Sequence, residues 1–297
     1  MNVIEWELRF RLWSSGPSAS ESAKCLNAER VIGDCLRVAG TLDKYQLEIF
    51  AQGSYKNATN IPQESDVDIC VATTNGSLFF DEYPPGITRE HYGSYRVSAT
   101  FEQLKNDVAT ALYERFGDQG FKWGSKCLEV HSNTFRVDAD VVPAFEKRRY
   151  YGAGVNDFTR GIEFISDDGK RITNYPRQHF EQGSARNATT SGRFRSIVRV
   201  MKRLQFALVD VGVVADKYVP SYALECAVFN VTDGALKLPS FCAAVRQTLF
   251  EIYGAIEREE QWVEVNRLKY LFHDSQPWRA SALRQFTIDA WRHVGYE

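Results

Sequence analysis

Residues 53–69 read GSYKNATNIPQESDVDI. The stretch opens on Gly-Ser, crosses a mostly polar segment and closes on two aspartates one residue apart. Its flanks, YQLEIFAQ (45–52) and DVDICVAT (66–73), read as strands. In an extended chain residues i and i+2 face the same way. Asp66 and Asp68 therefore project together, while Val67 and Ile69 point into a core. Two carboxylates on one face repel, and a divalent cation between them is the simplest way to hold them; hard oxygen donors suit Mg²⁺ or Mn²⁺.

A second stretch, FRVDADVVPAF (135–145), repeats the pattern, with Asp138 and Asp140 on one face and Val137, Ala139 and Val141 on the other. If the two strands are neighbours, a third carboxylate joins the pair. Three carboxylates can hold two ions about 3.5–4 Å apart, an arrangement that activates a hydroxyl and steadies the leaving oxygen in phosphoryl transfer. Gly53 then has a use, since a residue without Cβ lets the backbone come close to a phosphate, and the Ser54 hydroxyl and nearby N–H groups can bond phosphate oxygens. The competing reading is a Gly-Ser turn leading to a solvated acidic strand, and the second acidic strand weighs against it. No Gly-x-Gly-x-x-Gly or Gly-Lys-Ser/Thr loop is present, so Rossmann and P-loop folds do not compete.

The chain of 297 residues carries a formal net charge of −2, with 44% hydrophobic and 25% charged residues. A protein that coats long nucleic acid is usually basic. No run approaches the roughly 20 apolar residues of a membrane helix. The opening MNVIEWELRFRLWSS lacks the apolar core of a signal peptide. These features predict a cytoplasmic protein with no membrane partner. Six cysteines at 25, 35, 70, 127, 226 and 242 form no Cys-x-x-Cys pair and read as reduced, buried thiols. The five histidines lie apart, and none is assigned to catalysis.

Helical spacing is expected over 20–42 and 98–116, and strands over 126–132 and 134–145. GIEFIS and KRITNY (161–166, 170–175) read as a hairpin around Asp167-Asp168-Gly169. The aromatic segment 79–95 reads equally as a lid and as an ordinary long loop. Beyond Pro176 the expectation is all helix: 177–184, 190–212, 219–229, 238–255, 258–272 and 279–293. The fold class is thus α+β with a C-terminal helical lobe. Along RFRSIVRVMKRLQF (193–206), Arg195, Arg199 and Lys202 or Arg203 form one basic helix face, and charge pattern alone makes it a solvated face.

Gly-Ser, Asp-x-Asp and a third Asp on a later strand resemble the DNA-polymerase-beta-like nucleotidyltransferases. The finer resemblance is to the bacterial cGAS/DncV-like nucleotidyltransferases (CD-NTases), the cyclic oligonucleotide synthases of CBASS anti-phage signalling. It is carried by QGSYKNATNI (52–61), SDVDICV (65–71), VDADVVPAFE (137–146) and PSYALECAVFN (220–230). The resemblance implies a polymerase-beta-like core (1–175), a helical nucleotide-binding lobe (176–297) and an active site in a cleft between them. It implies two Mg²⁺ ions, replaceable by Mn²⁺, on Asp66, Asp68 and Asp140. Asp140 is preferred to Asp138 because in the family the third acid directly precedes a short apolar run ending in Ala-x-acid, as DVVPAFE does. Gly53, Ser54, Lys202 and Ser221 would hold the donor triphosphate, with Tyr222 stacking on its base. The implied substrates are ATP and/or GTP, with pyrimidine nucleoside triphosphates also admitted, and the implied product is a cyclic di- or trinucleotide read by an effector protein encoded elsewhere. A transferase acting on an RNA end or a protein acceptor is the alternative. No zinc-binding insertion is seen, so no DNA activator is expected. The chain ends in Glu297, whereas many members with a ubiquitin-transfer-like partner end in a small residue, usually glycine, that is conjugated to a target.

Overall fold

The computed structural model describes residues 1–62, 66–74, 81–93, 99–273 and 276–296. The chain divides into two compact units, one of Ser18–Lys56 and Ser65–Pro176, the other of Met1–Pro17, Asn57–Glu64 and Arg177–Glu297. The first half of the chain holds α1 (Val3–Ser14), α2 (Ala19–Arg37), β1 (Leu47–Gln52), α3 (Gly53–Lys56), β2 (Val67–Thr73), α4 (Phe101–Gly120), β3 (Phe121–Trp123), β4 (Leu128–Val130) and β5 (Ala139–Tyr150). Then come β6 (Phe158–Ile165), β7 (Arg171–Asn174), α5 (Pro176–Thr189), α6 (Arg193–Asp210), α7 (Ser221–Asn230), α8 (Asp233–Leu236), α9 (Phe241–Glu257) and α10 (Ala280–Val294).

The first unit is a mixed sheet in the order β1-β2-β5-β4-β3, with β6 on β5 and β7 on β6. Strands β2 and β5 run parallel, and every other pairing is antiparallel. A parallel neighbour needs a long crossover, here supplied by the segment containing α4. Strand alternation sorts the faces. Val67, Ile69, Val71, Ala139 and Val141 pack with Ile32 and Leu36 of α2 and Val108 and Leu112 of α4. Cys70, Ala72, Val142 and Ala144 look the other way, towards Ile162 and Phe164. Helix α2 is started by a capping box in which Ser18 accepts from the Glu21 backbone and Glu21 from the Ser18 backbone. The hairpin expected around Gly169 is present, with Gly169 at φ +80° closing the turn.

In the helical unit, α6 buries Phe194, Ile197, Val198, Met201 and Leu204, and Trp6 and Phe10 of α1 join the same core. Two expectations need correction. Helix α1 has no counterpart in the sequence reading. The helix expected over 258–272 does not form: Val263 and Tyr270 make an isolated bridge, and Glu259 and Arg267 take left-handed φ of 53° and 59°. The cause is local competition for the backbone, because Asn266 Oδ1 accepts from Leu268 N at 2.8 Å and closes a turn. Of the segment 79–95, residues 79, 80, 94 and 95 lie outside the described residues. Within 81–93, Tyr83 and Tyr92 stack with Tyr150 at the end of β5. Among the described residues no helix is long and apolar enough to cross a membrane, and no disulfide forms.

A buried charge cluster pins the β5–β6–β7 edge. Glu163, 1% exposed, accepts from Lys147 Nζ at 2.6 Å and Thr173 Oγ1 at 2.6 Å, and pairs with Arg171. Removing one partner of such a pair strands the other charge. Glu163→Ala is expected to cost about 3 kcal/mol in urea unfolding, whereas Arg171→Ala, at the exposed side of the cluster, should cost under about 1 kcal/mol.

Candidate active site

The register of the sheet lines up one polar row. Gln52 of β1 lies opposite Asp68 of β2, Asp68 opposite Asp140 of β5, and Asp140 opposite Glu129 of β4. All four sit on the face turned away from α2 and α4. Asp68 and Asp140 thus come side by side across a parallel pairing. Asp66 precedes β2 and is exposed. Asp138 is occupied elsewhere: its Oδ1 accepts from Ser132 N at 2.6 Å and lies 3.9 Å from His131 Nδ1, so it holds the turn before β5.

Gly53 fits this row closely. Its φ is +68°, and a Cβ built there would lie 1.8 Å from Asp68 Oδ2. The backbone is flush against the carboxylate, and only glycine permits both the contact and the dihedral. Ser54 follows in the first turn of α3, half-buried. Residues 53–56 form a single helical turn.

Two neighbours of the acids were missed. Cys127 hydrogen-bonds Asp140, and burial, followed by the Asp140 charge, pushes its thiol up to about 12. Burial raises the Asp140 carboxyl above the ordinary range; the Cys127 hydrogen bond opposes this, and Glu129 and Asp138 add to it. Glu129 is itself bonded by Lys122 Nζ at 3.0 Å. The i, i+2 spacing of Cys127 and Glu129 in KCLEVHS was the available signal, but one acid on a short strand does not distinguish itself from a solvated residue.

The oxygen donors Asp68 and Asp140, with Asp66 near by in sequence, have the chemistry of a hard divalent cation site. As the side chains stand, no three His, Cys, Asp or Glu among the described residues converge to hold an ion.

The helical unit places the remaining residues read from the sequence. Lys202 is 1% exposed and electrostatically coupled to the buried Glu225. Ser221 begins α7. The Tyr222 hydroxyl donates to Glu264 Oε2 at 2.7 Å, and its ring lies 5.4 Å from His179 and 5.8 Å from Trp278. The basic face of α6 is used internally: Arg195 bonds Ser184 Oγ, and Arg199 bonds the carbonyls of Ser14 and Ala58.

Residues 181–295 match the cGAS/DncV-like nucleotidyltransferase C-terminal helical domain. A cyclic dipyrimidine nucleotide synthase CdnE from Legionella pneumophila is 38% identical over 291 residues, spanning 98% of each chain. The chain belongs to this family of nucleotidyltransferases. The structure of the Elizabethkingia meningoseptica CdnE cyclic dinucleotide synthase with GTP and Apcpp superposes with a TM-score of 0.82 at 31% identity, covering 98% of this chain and 99% of that one. The Rhodothermus marinus CdnE c-UMP-AMP synthase with Apcpp and Upnpp gives 0.83 at 26% identity, covering 98% of both. The mixed sheet and C-terminal helical lobe are the architecture of these CD-NTases, and this chain is a nucleotidyltransferase as they are.

Gly53→Ala forces Asp68 off its position. It is expected to lower nucleotidyltransferase activity by about 100-fold or more while costing roughly 1–3 kcal/mol of stability from the dihedral alone. Parallel activity and thermal-melt measurements check this, and an unaffected rate in a folded variant would remove Gly53 from the site.

Proposed function

We propose that this CD-NTase joins ribonucleoside triphosphates into a cyclic di- or trinucleotide messenger for anti-phage (CBASS) signalling, releasing pyrophosphate at each step. The observation that carries this reading is the Asp68–Asp140 pair, aligned in register across parallel strands, with Asp68 packed so closely on Gly53 that a side chain there would collide with it. Asp66, Asp68 and Asp140 would hold two Mg²⁺ ions, with Mn²⁺ as a substitute. Bound there, such ions lower the pKa of an acceptor hydroxyl and neutralise charge developing on the transferred phosphoryl group.

The chain's own residues do the rest. Asp140 would orient an acceptor ribose hydroxyl for attack on the donor α-phosphorus. The Gly53 backbone lets a triphosphate approach closely, and the Ser54 hydroxyl bonds a phosphate oxygen. Ser221 contributes a second hydroxyl. Tyr222 offers its ring to the donor base, and the hydrogen bond to Glu264 anchors the end of that side chain. Lys202, the residue expected at the donor triphosphate, is buried, with its charge drawn towards Glu225. After the first bond forms, the linear intermediate is turned and its free hydroxyl closes the ring.

The relatives differ in the bases they join: one is a dipyrimidine synthase, another a c-UMP-AMP synthase. Base choice is therefore a property of local side chains and not of the shared fold.

The test uses purified protein, Mg²⁺ and the four ribonucleoside triphosphates, one labelled at the α-phosphate in each reaction. A phosphatase-resistant product is expected, and the labels it retains name its bases. Asp140→Asn is expected to reduce that product about a thousand-fold or more with the fold intact. Near-normal product from Asp140→Asn would contradict the site, and products fully sensitive to phosphatase would contradict cyclisation.

A further inference from the structure

The segment Asn57–Glu64 belongs to the helical unit, yet it is flanked in the chain by Gly53 and Ser54 on one side and Asp66 and Asp68 on the other, all in the sheet unit. Whatever fixes this segment limits how the two halves of the motif are joined. Thr59 is 0%, Asn60 2% and Ile61 0% exposed, and Ala58 is held at a left-handed φ of 55°. Residues 58–61, with buried polar side chains and a left-handed alanine, are not a slack stretch.

Two anchors hold it. Arg199 Nη1 donates to the Ala58 carbonyl at 2.6 Å, while its Nε donates to Ser14 O at 2.7 Å. Thr59 Oγ1 donates to Glu225 Oε2 at 2.8 Å. Glu225 lies in the middle of α7 and is 3% exposed. Its other oxygen, Oε1, is 2.9 Å from His179 Nε2, and Lys202 adds a further attraction. Burial alone would raise this carboxyl; His179, Lys202 and Thr59 together hold it below the ordinary range. Glu225 is therefore an anion kept in the interior.

Such an anion is an expensive way to stabilise a core, because well-packed apolar residues do as well or better. What it supplies is direction: a charged acceptor fixes the hydroxyl that points at it more tightly than a neutral one. Nothing in the transfer chemistry above uses Glu225 or Thr59 directly.

We propose that Glu225 is a positioning residue for nucleotide transfer: through Thr59 it fixes residues 57–62, the stretch that follows directly on the Gly53-Ser54 step. The proposal rests on the reading of Gly53, Ser54, Asp66 and Asp68 as the triphosphate and metal site. Loosening the segment leaves the chemical groups present and the core nearly unchanged, but lowers the fraction of molecules in which those groups stand in the productive arrangement. The rate of the chemical step falls while apparent substrate affinity changes little.

The test uses full-length Thr59→Val, Thr59→Ser, Glu225→Gln and Asp140→Asn. Thr59→Val keeps the shape and removes the hydroxyl. It is expected to lower kcat about ten-fold, with KM within about two-fold of wild type and faster hydrogen exchange at amides 57–61. Thr59→Ser restores the hydroxyl and is expected to restore kcat to within about three-fold. Thr59→Val combined with Glu225→Gln is expected to be no slower than Glu225→Gln alone, because both changes cut one connection. A wild-type kcat in Thr59→Val overturns the proposal, as does a loss that Thr59→Ser fails to rescue. Asp140→Asn separates the two failures: if it is inactive while Thr59→Val is normal, only the positioning role falls, and if it is as active as wild type, the underlying site reading falls and the proposal with it. Should Glu225→Gln fail to fold, the Thr59 pair decides alone.

Discussion

The parallel pairing of β2 and β5 sets Asp68 opposite Asp140, and the rest of the sheet unit can be understood as what makes that pairing tolerable. Two carboxylates in adjacent register positions repel, so the strands that carry them must be held by other means. Val67, Ile69, Val71, Ala139 and Val141 supply those means on the opposite face, against α2 and α4. A slip of one residue would turn Asp68 or Asp140 into the apolar core against α2 and α4, and that penalty fixes the register. The same alternation that builds the core thus aims the acids.

The site pays for this arrangement locally. Asp140 is pushed towards protonation by burial and by Glu129 and Asp138, with the Cys127 hydrogen bond opposing. Gly53 accepts a left-handed dihedral against the Asp68 carboxylate. The raised Asp140 carboxyl is a cost that a solvated acidic strand would not carry. The helical unit shows a parallel logic around Glu225, where His179, Lys202 and Thr59 balance a buried anion.

Much of this was legible in the chain, for identifiable reasons. β2 and β5 announced themselves through the Asp-x-Asp alternation near their starts, which sets the acids on one face and Val67, Ile69, Ala139 and Val141 on the other, and α6 through its apolar stripe of Ile197, Val198, Met201 and Leu204. The hairpin at Gly169 followed from its turn residues. Other features had no local signature. The expected helix over 258–272 had the right periodicity, but Glu259 and Arg267 adopt left-handed backbone without being glycine. Helix α1 carries charges throughout, and Ile4, Leu8 and Leu12 remain exposed, which blurs its apolar face. The choice of Asp140 over Asp138 came from family resemblance; the structure adds a physical reason, since Asp138 is tied to the Ser132 backbone. The connection from Thr59 to Glu225 spans 166 residues, and no local pattern could have announced it.

The account's central claim is that Asp68 and Asp140 together hold the catalytic cations. The most direct measurement is anomalous diffraction at the manganese edge from crystals of the full chain grown with Mn²⁺ and a non-hydrolysable nucleoside triphosphate. The account predicts anomalous density bridging the Asp68 and Asp140 carboxylates, lost in Asp68→Asn/Asp140→Asn crystals. Nucleotide bound in place with no anomalous density at these two carboxylates, or with the ion held by other residues, would contradict it.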